Sequence, residues 1–443
     1  MSRSSSILSR LGLHRPELRA WALYDWANSA FVLVIITAVF PIYYKNVPAA
    51  ELSAEDATAY YGWVTTAVLF LIAILSPSLG ALADFRAWRK KFLGAGVLLG
   101  VIATACMVFL HQGDWLAALI LFGLGNLGLA SSFTFYDSLL PHIAAGDEID
   151  RVSTGGYALG YLGSGLLLVL NLLWIQMPET WGFEDTASAT RAAFLSVAVW
   201  WLLFSLPLFR KVSEPPRQIQ EGERNTRDAV RVALGRLKQT ISEMRGRHRQ
   251  AFLLLLAVLI YTEGIGTIIR MAALYASSRG LPDSDVILAI LLVQFLGIPF
   301  SFLFGGLAGK IGPKRSIMLG LVVYTGATLL AYRMETVTEF YILALLIGMV
   351  QGGTQALSRS LFASMIPHHR TSEFFGIYAV SEKVGGFLGP MVFSVIITLT
   401  GSTQPAVLSI VVFFLAGGSL LFLVNETEGQ NEARKAEAGV LKL

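Results

Sequence analysis

Seven ionisable side chains fall inside long apolar runs of this sequence: Asp25, Asp137, Glu263, Arg270, Arg359, Glu382 and Lys383. A charge placed in hydrocarbon costs roughly 2.5–3.5 kcal/mol on insertion scales, so such residues either carry function or form structural ion pairs. The chemistry open to them is proton loading, ion pairing and recognition of a charged solute. Helical spacing sorts them. Asp25 and Asn28 share one face, and Glu263 and Arg270 share another, separated by about 10 Å of helical rise. Gln351, Gln355, Ser358 and Arg359 form a polar stripe, as do Tyr157, Tyr161 and Ser164. Adjacent Glu382 and Lys383 cannot face the same way, so at least one has a structural partner.

Each residue keeps a functional and a structural reading. Asp25 couples or recognises a solute, or only caps or gates one end of its helix. Glu263, midway along its run, is the expected proton-coupling site; the alternative is a permanently ionised Glu263–Arg270 pair. Arg359 forms a salt bridge with Asp25 or binds a solute carboxylate. Tryptophans near run ends, such as Trp115 and Trp174, read as interface anchors.

The elements that must position these groups follow from composition. Of 443 residues, 54% are hydrophobic and only 14% charged, against roughly 25% charged in soluble proteins. This excludes a soluble enzyme, a disulfide scaffold, a disordered chain and a nucleic-acid binder. About 20 apolar residues span a bilayer as a helix. Spans are expected near 21–44, 59–83, 92–111, 115–140, 154–177 and 191–210, then 251–276, 285–309, 316–333, 339–364, 373–399 and 405–424. The expected fold is an all-α membrane protein with twelve transmembrane helices in two pseudo-symmetric six-helix bundles. The units are a cytoplasmic segment (1–20), a bundle (21–210), a basic linker with an amphipathic helix (211–250), a second bundle (251–424) and a cytoplasmic tail (425–443). With the N-terminus inside, 27 of the 34 Lys and Arg fall on cytoplasmic segments and four on the other side, which orients the chain by the positive-inside rule. Both termini are then cytoplasmic, in a multi-pass protein of the cell's inner membrane.

Other motifs carry less. Cys106 is a lone packing residue, and there is no Cys/His cluster for a metal. Gly123-Leu-Gly-Asn-Leu-Gly128 matches a dinucleotide loop but has no preceding strand, and Gly309-Lys310 lacks the hydroxyl of a phosphate loop. Neither a cofactor nor ATP is expected.

An internal repeat is more telling. Gly80-Ala-Leu-Ala-Asp84-Phe-Arg86-Ala-Trp-Arg89-Lys90 recurs 225 residues later as Gly305-Gly-Leu-Ala-Gly309-Lys310-Ile-Gly312-Pro-Lys314-Arg315. Repeats of this kind mark transporters. The pattern resembles the loop motif of the major facilitator superfamily, with Phe85 and Ala87 replacing a basic residue and glycine in the first copy and Gly309 replacing the aspartate in the second. Trp21-Ala-Leu-Tyr24-Asp25-Trp26-Ala-Asn28-Ser29-Ala-Phe31, Gln351-Gly-Gly-Thr-Gln355-Ala-Leu-Ser-Arg359-Ser360 and the run from Phe375-Gly376 to Gly389-Pro390 are similar to signatures of its vacuole-effluxer-like family.

That resemblance implies alternating access and a gate at Gly80, Asp84, Arg86, Arg89, Lys90, Lys314 and Arg315, with Asp84 facing the start of span eleven. It implies that spans one, four, seven and ten line the cavity. Small-residue ridges on spans two, five, eight and eleven fit the seam between halves. The expected function is secondary transport of a small polar solute, an amino acid or related metabolite, with proton coupling. The different-class alternative is a membrane sensor or lipid-handling scaffold. Expected partners are the solute, protons or another coupling ion, and lipid, with a monomer as the working unit.

Overall fold

A computed structural model describes residues 8, 12–52, 54–145, 148–216, 242–279, 281–384, 388–400 and 403–440. Among these, all regular structure is helical. In chain order the helices are α1 (Pro16–Asn46), α2 (Ala54–Arg86), α3 (Arg89–Cys106), α4 (Trp115–Ile143), α5 (Glu148–Gln176) and α6 (Thr186–Lys211). There follow α7 (Arg249–Ser278), α8 (Asp283–Ile311), α9 (Pro313–Tyr332) and α10 (Val337–Ser364). The last are α11 (Thr371–Val384), α12 (Leu388–Thr400), α13 (Thr403–Leu423) and α14 (Glu426–Val440). Ten helices among the described residues are long and apolar enough to cross a membrane. The other two expected spans fall on α2 and on α11 with α12. The expected linker helix falls largely on residues 217–241, outside the described residues.

The helices alternate in direction, as their end contacts show. On one face, which we call the N-terminal face, Arg15 bonds to the carbonyl of Ile143 and to Glu148. On the same face Gln250 meets Asn425 at the end of α13. On the opposite face the Tyr275 hydroxyl donates to the Ala331 carbonyl, and Gly113 donates to Pro48.

Two departures from uniform helix matter for the site. Residues Phe31–Ala38 of α1 widen into a π-helix, with Val39 N–H donating to Val34 rather than one residue later. Pro41 follows at once and has no N–H to give the preceding turn, so the register is absorbed there. The expected tail carries a helix, α14, strapped back on the bundle: Glu437 accepts from His368 N–H and Glu428 from the Gln250 amide.

Helix–helix approach depends on glycine at a few points. A Cβ on Gly80 of α2 would stand 2.2 Å from the Ser372 carbonyl oxygen of α11, and one on Gly305 of α8 would stand 2.2 Å from Thr154 Oγ1 of α5. Both glycines lie on ridges read from the sequence. The close packing they permit joins helices from the two halves of the chain.

Candidate functional site

Within α1 the spacing of Trp21, Asp25 and Asn28 turns three large or polar side chains to one stripe. All are buried. Trp21 stacks on Tyr136 of α4 at 4.3 Å between ring centroids and donates its indole N–H to the Tyr136 carbonyl. Tyr24 donates to Ser132 Oγ at 2.7 Å. These bonds fix α1 against α4, so the Tyr136 hydroxyl reaches Asp25 Oδ2 at 2.9 Å. Gly156 of α5 supplies the space: a Cβ there would stand 2.4 Å from the Asp25 carboxylate.

Into this pocket α10 inserts Arg359, only 3% exposed. Its Nη2 lies 3.3 Å from Asp25 Oδ2 and its Nη1 3.1 Å from Asp137 Oδ1. Nε donates to Ser153 Oγ at 3.0 Å, and Nη2 also donates to the Ser153 carbonyl at 3.1 Å. The guanidinium lies over the rings of Tyr157 (4.6 Å), Trp21 (4.8 Å) and Tyr136 (5.6 Å). One buried cation thus faces two buried carboxylates, and its bonds join α10 to α1, α4 and α5. Such a cluster persists only because its charges are paired and hydrogen-bonded.

Beside it lies a cavity of about 380 Å³. Asp25, Tyr157, Tyr161, Gln351 and Gln355 line it, and it extends to Thr37 on α1 and Phe340 on α10. Those two positions lie toward the end of α1 and the start of α10, so the cavity runs from the charge cluster toward the face opposite the N-terminal one.

The N-terminal face is closed by a second polar network. Asp84, at the end of α2, accepts from the backbone N–H groups of Ser372 (3.3 Å) and Glu373 (3.0 Å) in the first turn of α11. These N–H groups have no intrahelical partner, and a carboxylate satisfies them. Arg89 pairs with Asp84 at 2.6 Å and donates to Ser372 Oγ at 2.7 Å. Ser372 Oγ donates to Ser138 of α4. Arg370 grips Glu373 through two bonds and reaches Glu243 at 2.5 Å.

The remaining expected site residues distribute as follows. Asn28 is fully buried beside the cluster but does not line the cavity. Glu263 is also off the cavity: its Oε2 accepts from Gly389 N–H, at the start of α12, at 2.6 Å. The side chains of Arg270, Glu382 and Lys383 lie outside the described residues. Of the expected gate residues, Gly80, Asp84 and Arg89 touch α11. Arg86 instead lies over the rings of Phe85 and Trp88. Lys90 donates to the carbonyls of Phe209 and Val212, and Lys314 to those of Phe422 and Val424. Arg315 follows Lys314 in the first turn of α9.

Asp137 and Ser153 belong to the cluster although the sequence pairs neither with Arg359. Asp137 sits in an apolar run, which is a signal. Ser153 acts through its hydroxyl and its carbonyl alike, and the carbonyl contact is one that no side-chain pattern reveals.

The profile described as "Vacuole effluxer Atg22 like" matches residues 14–434. An MFS-type transporter of Bacillus subtilis (strain 168), YxiO, is 36% identical over 92% of this chain and 94% of its own length. Autophagy-related protein 22 of Coccidioides immitis (strain RS) is 24% identical, covering 87% of this chain and 76% of its own. Among solved structures, the proton:xylose symporter XylE of the major facilitator superfamily superposes with a TM-score of 0.65 at 15% identity, covering 98% of this chain and 99% of that one. The fold is therefore the major facilitator fold, and the chain belongs to the vacuole effluxer Atg22-like family of membrane transporters.

Proposed function

We propose that this transporter moves a small organic solute by alternating access, coupled to protons at Asp25. The cavity is the solute path. Tyr157, Tyr161, Gln351 and Gln355 contact the solute, and the N-terminal face is cytoplasmic, so the form described is outward-open. The halves that rock are the bundles at 21–210 and 251–424. A single observation carries this reading: Arg359, from the second bundle, is held by Asp25 and Asp137 of the first, at the floor of a cavity open to one side. Those bonds cross the seam. Protonation of Asp25 removes one of two carboxylate charges from Arg359 and weakens the tie, easing separation of the halves on the closed side.

The coupling role moves from Glu263 to Asp25 for a physical reason. Glu263 accepts from the Gly389 N–H of α12 and lies off the cavity; it fits a positioning residue between α7 and α12. An amino acid remains the solute expected from family resemblance.

The test is uptake of a broad panel of labelled solutes into proteoliposomes. The expected result is that a pH gradient drives accumulation of at least one solute. Asp25→Asn abolishes accumulation but retains exchange at equal concentrations. Accumulation by Asp25→Asn with normal pH dependence contradicts the coupling role.

A further inference from the structure

We infer that the second bundle holds an aliphatic part of the solute in a blind side pocket between α9, α10 and α13, and that Ala327 and Ile410 set the size it admits. This rests on the reading of the cavity as the solute path. The two bundles build that cavity unequally. From the first come residues of α1, α4 and α5, whereas no residue of α3 or α6, both described throughout, lines it. From the second, α9 contributes Ala327 and Thr328, α10 contributes Ala344 and Ile347, and α13 contributes Val407 and Ile410. The cavity therefore reaches in among the helices of the second bundle, as far as α9 and α13.

The internal repeat brings out what differs. Lys90 and Lys314 stand second in α3 and α9 and cap the ends of α6 and α13, so the pair α3–α6 corresponds to the pair α9–α13. In the first pair Trp201 of α6 is wholly buried, and a Cβ on Gly100 of α3 would stand 2.3 Å from its ring. An indole fills that space. In the second pair the small and aliphatic side chains of Ala327, Thr328, Val407 and Ile410 leave a gap, and protein interiors leave few gaps.

The pocket is blind toward the N-terminal face. One turn nearer that face, the Tyr324 and Phe414 rings stack at 5.1 Å and join α9 to α13. A Cβ on Gly320 would stand 2.2 Å from Thr354 Oγ1, so α9 and α10 are in close contact there. Thr328, the polar member of the six, donates its hydroxyl to the Tyr324 carbonyl of its own helix at 2.8 Å. Apolar cavities stay dry and take apolar ligands. Gln351 and Gln355 line the cavity one and two turns past Ile347 on α10, so a solute held there by its polar end lays its tail in the pocket.

The experiment uses the full chain in proteoliposomes and straight-chain 2-amino acids with two to six side-chain carbons, which share one head group and differ in tail length. The half-saturating concentration of each is read after subtraction of protein-free vesicles. In the wild-type protein it should fall about fourfold per methylene, the gain from moving one CH2 out of water, until the pocket is full. Ala327→Leu fills the pocket and should shrink the advantage of the longest tail over the shortest by roughly tenfold or more, since about two methylenes lose their place. Ile410→Ala empties part of it and should enlarge that advantage roughly fourfold or more. Misfolding cannot produce two opposite shifts. Gln351→Ala, at the polar end, should weaken all tails by one common factor. A flat series in the wild-type protein overturns the inference, and so does one advantage shared by the wild type, Ala327→Leu and Ile410→Ala. In either case accumulation on a pH gradient leaves the transporter reading standing. If none of these probes saturates while another solute accumulates, the pocket is not a tail site and the transporter reading again stands. If no solute accumulates at all, the transporter reading falls and the inference falls with it.

Discussion

The turn between α2 and α3 and the turn between α8 and α9 are two copies of one device, and their differences separate what holds a bundle together from what locks the seam. In both, the second residue of the following helix is a lysine whose ammonium caps carbonyls at the end of a third helix: Lys90 with Phe209 and Val212, Lys314 with Phe422 and Val424. In both, burial lifts a nearby carboxyl above its usual range, Glu214 in the first copy and Glu426 in the second. Both turns pass through a left-handed residue, Ala87 at φ 54° and Gly312 at φ 87°. The copies part in what they present to the seam. Asp84 reaches across the seam to the first turn of α11, whereas Gly309 presents no side chain at all. The lysines therefore act within a bundle and the aspartate acts between bundles.

The largest expected break in this comparison is Gly80→Ala. Its methyl group would meet the Ser372 carbonyl at 2.2 Å, so α2 and α11 must part and the closed N-terminal face is lost. Cysteine labelling from that face should become strong and gradient-driven transport should fail, with the folded protein still recoverable. Next is Asp84→Asn. A charge at a helix N-terminus contributes up to ~2 kcal/mol in partly buried settings, so the closed form should lose roughly tenfold in population, seen as a matching change in labelling rate. Lys90→Ala and Lys314→Ala lose charge-assisted bonds of about 1.5–3 kcal/mol. They should lower the Tm while leaving labelling from either face unchanged; a shift in labelling would place these lysines in the gate after all. The smallest effect is Ala87→Gly. A left-handed alanine costs about 1–2 kcal/mol, so relieving it should raise the Tm slightly without altering transport.

Much of this was legible in the sequence because it depends on local pattern. Apolar runs gave the helices, and small residues at four-residue spacing gave the ridges at Gly80 and Gly305. The stripe Gln351–Gln355–Arg359 fixed which face of α10 turns inward. What the sequence left open depends on distant partners. Whether Arg359 met Asp25 or a solute could not be read from either residue, because Asp137 and Ser153 decide it from α4 and α5. Glu263 has a central position in its run, which suits a coupling group, but the Gly389 N–H of α12 donates to its carboxylate. The expected span from 21 to 44 hid a π-helix, since one residue absorbed into a wide turn leaves the apolar pattern intact.

In the proposed mechanism the cavity alternates between faces, and the seam at Asp84 holds it closed on one. The most direct measurement places a single cysteine at Ile347, on the cavity wall, in a Cys106→Ser background, and labels it from each face in oriented vesicles. With Asp84 present, labelling should come chiefly from the face opposite the N-terminus. With Asp84→Asn, labelling from the N-terminal face should rise about tenfold, by the loss of the helix-capping charge, while labelling from the other face declines. Unchanged labelling from both faces would contradict the account.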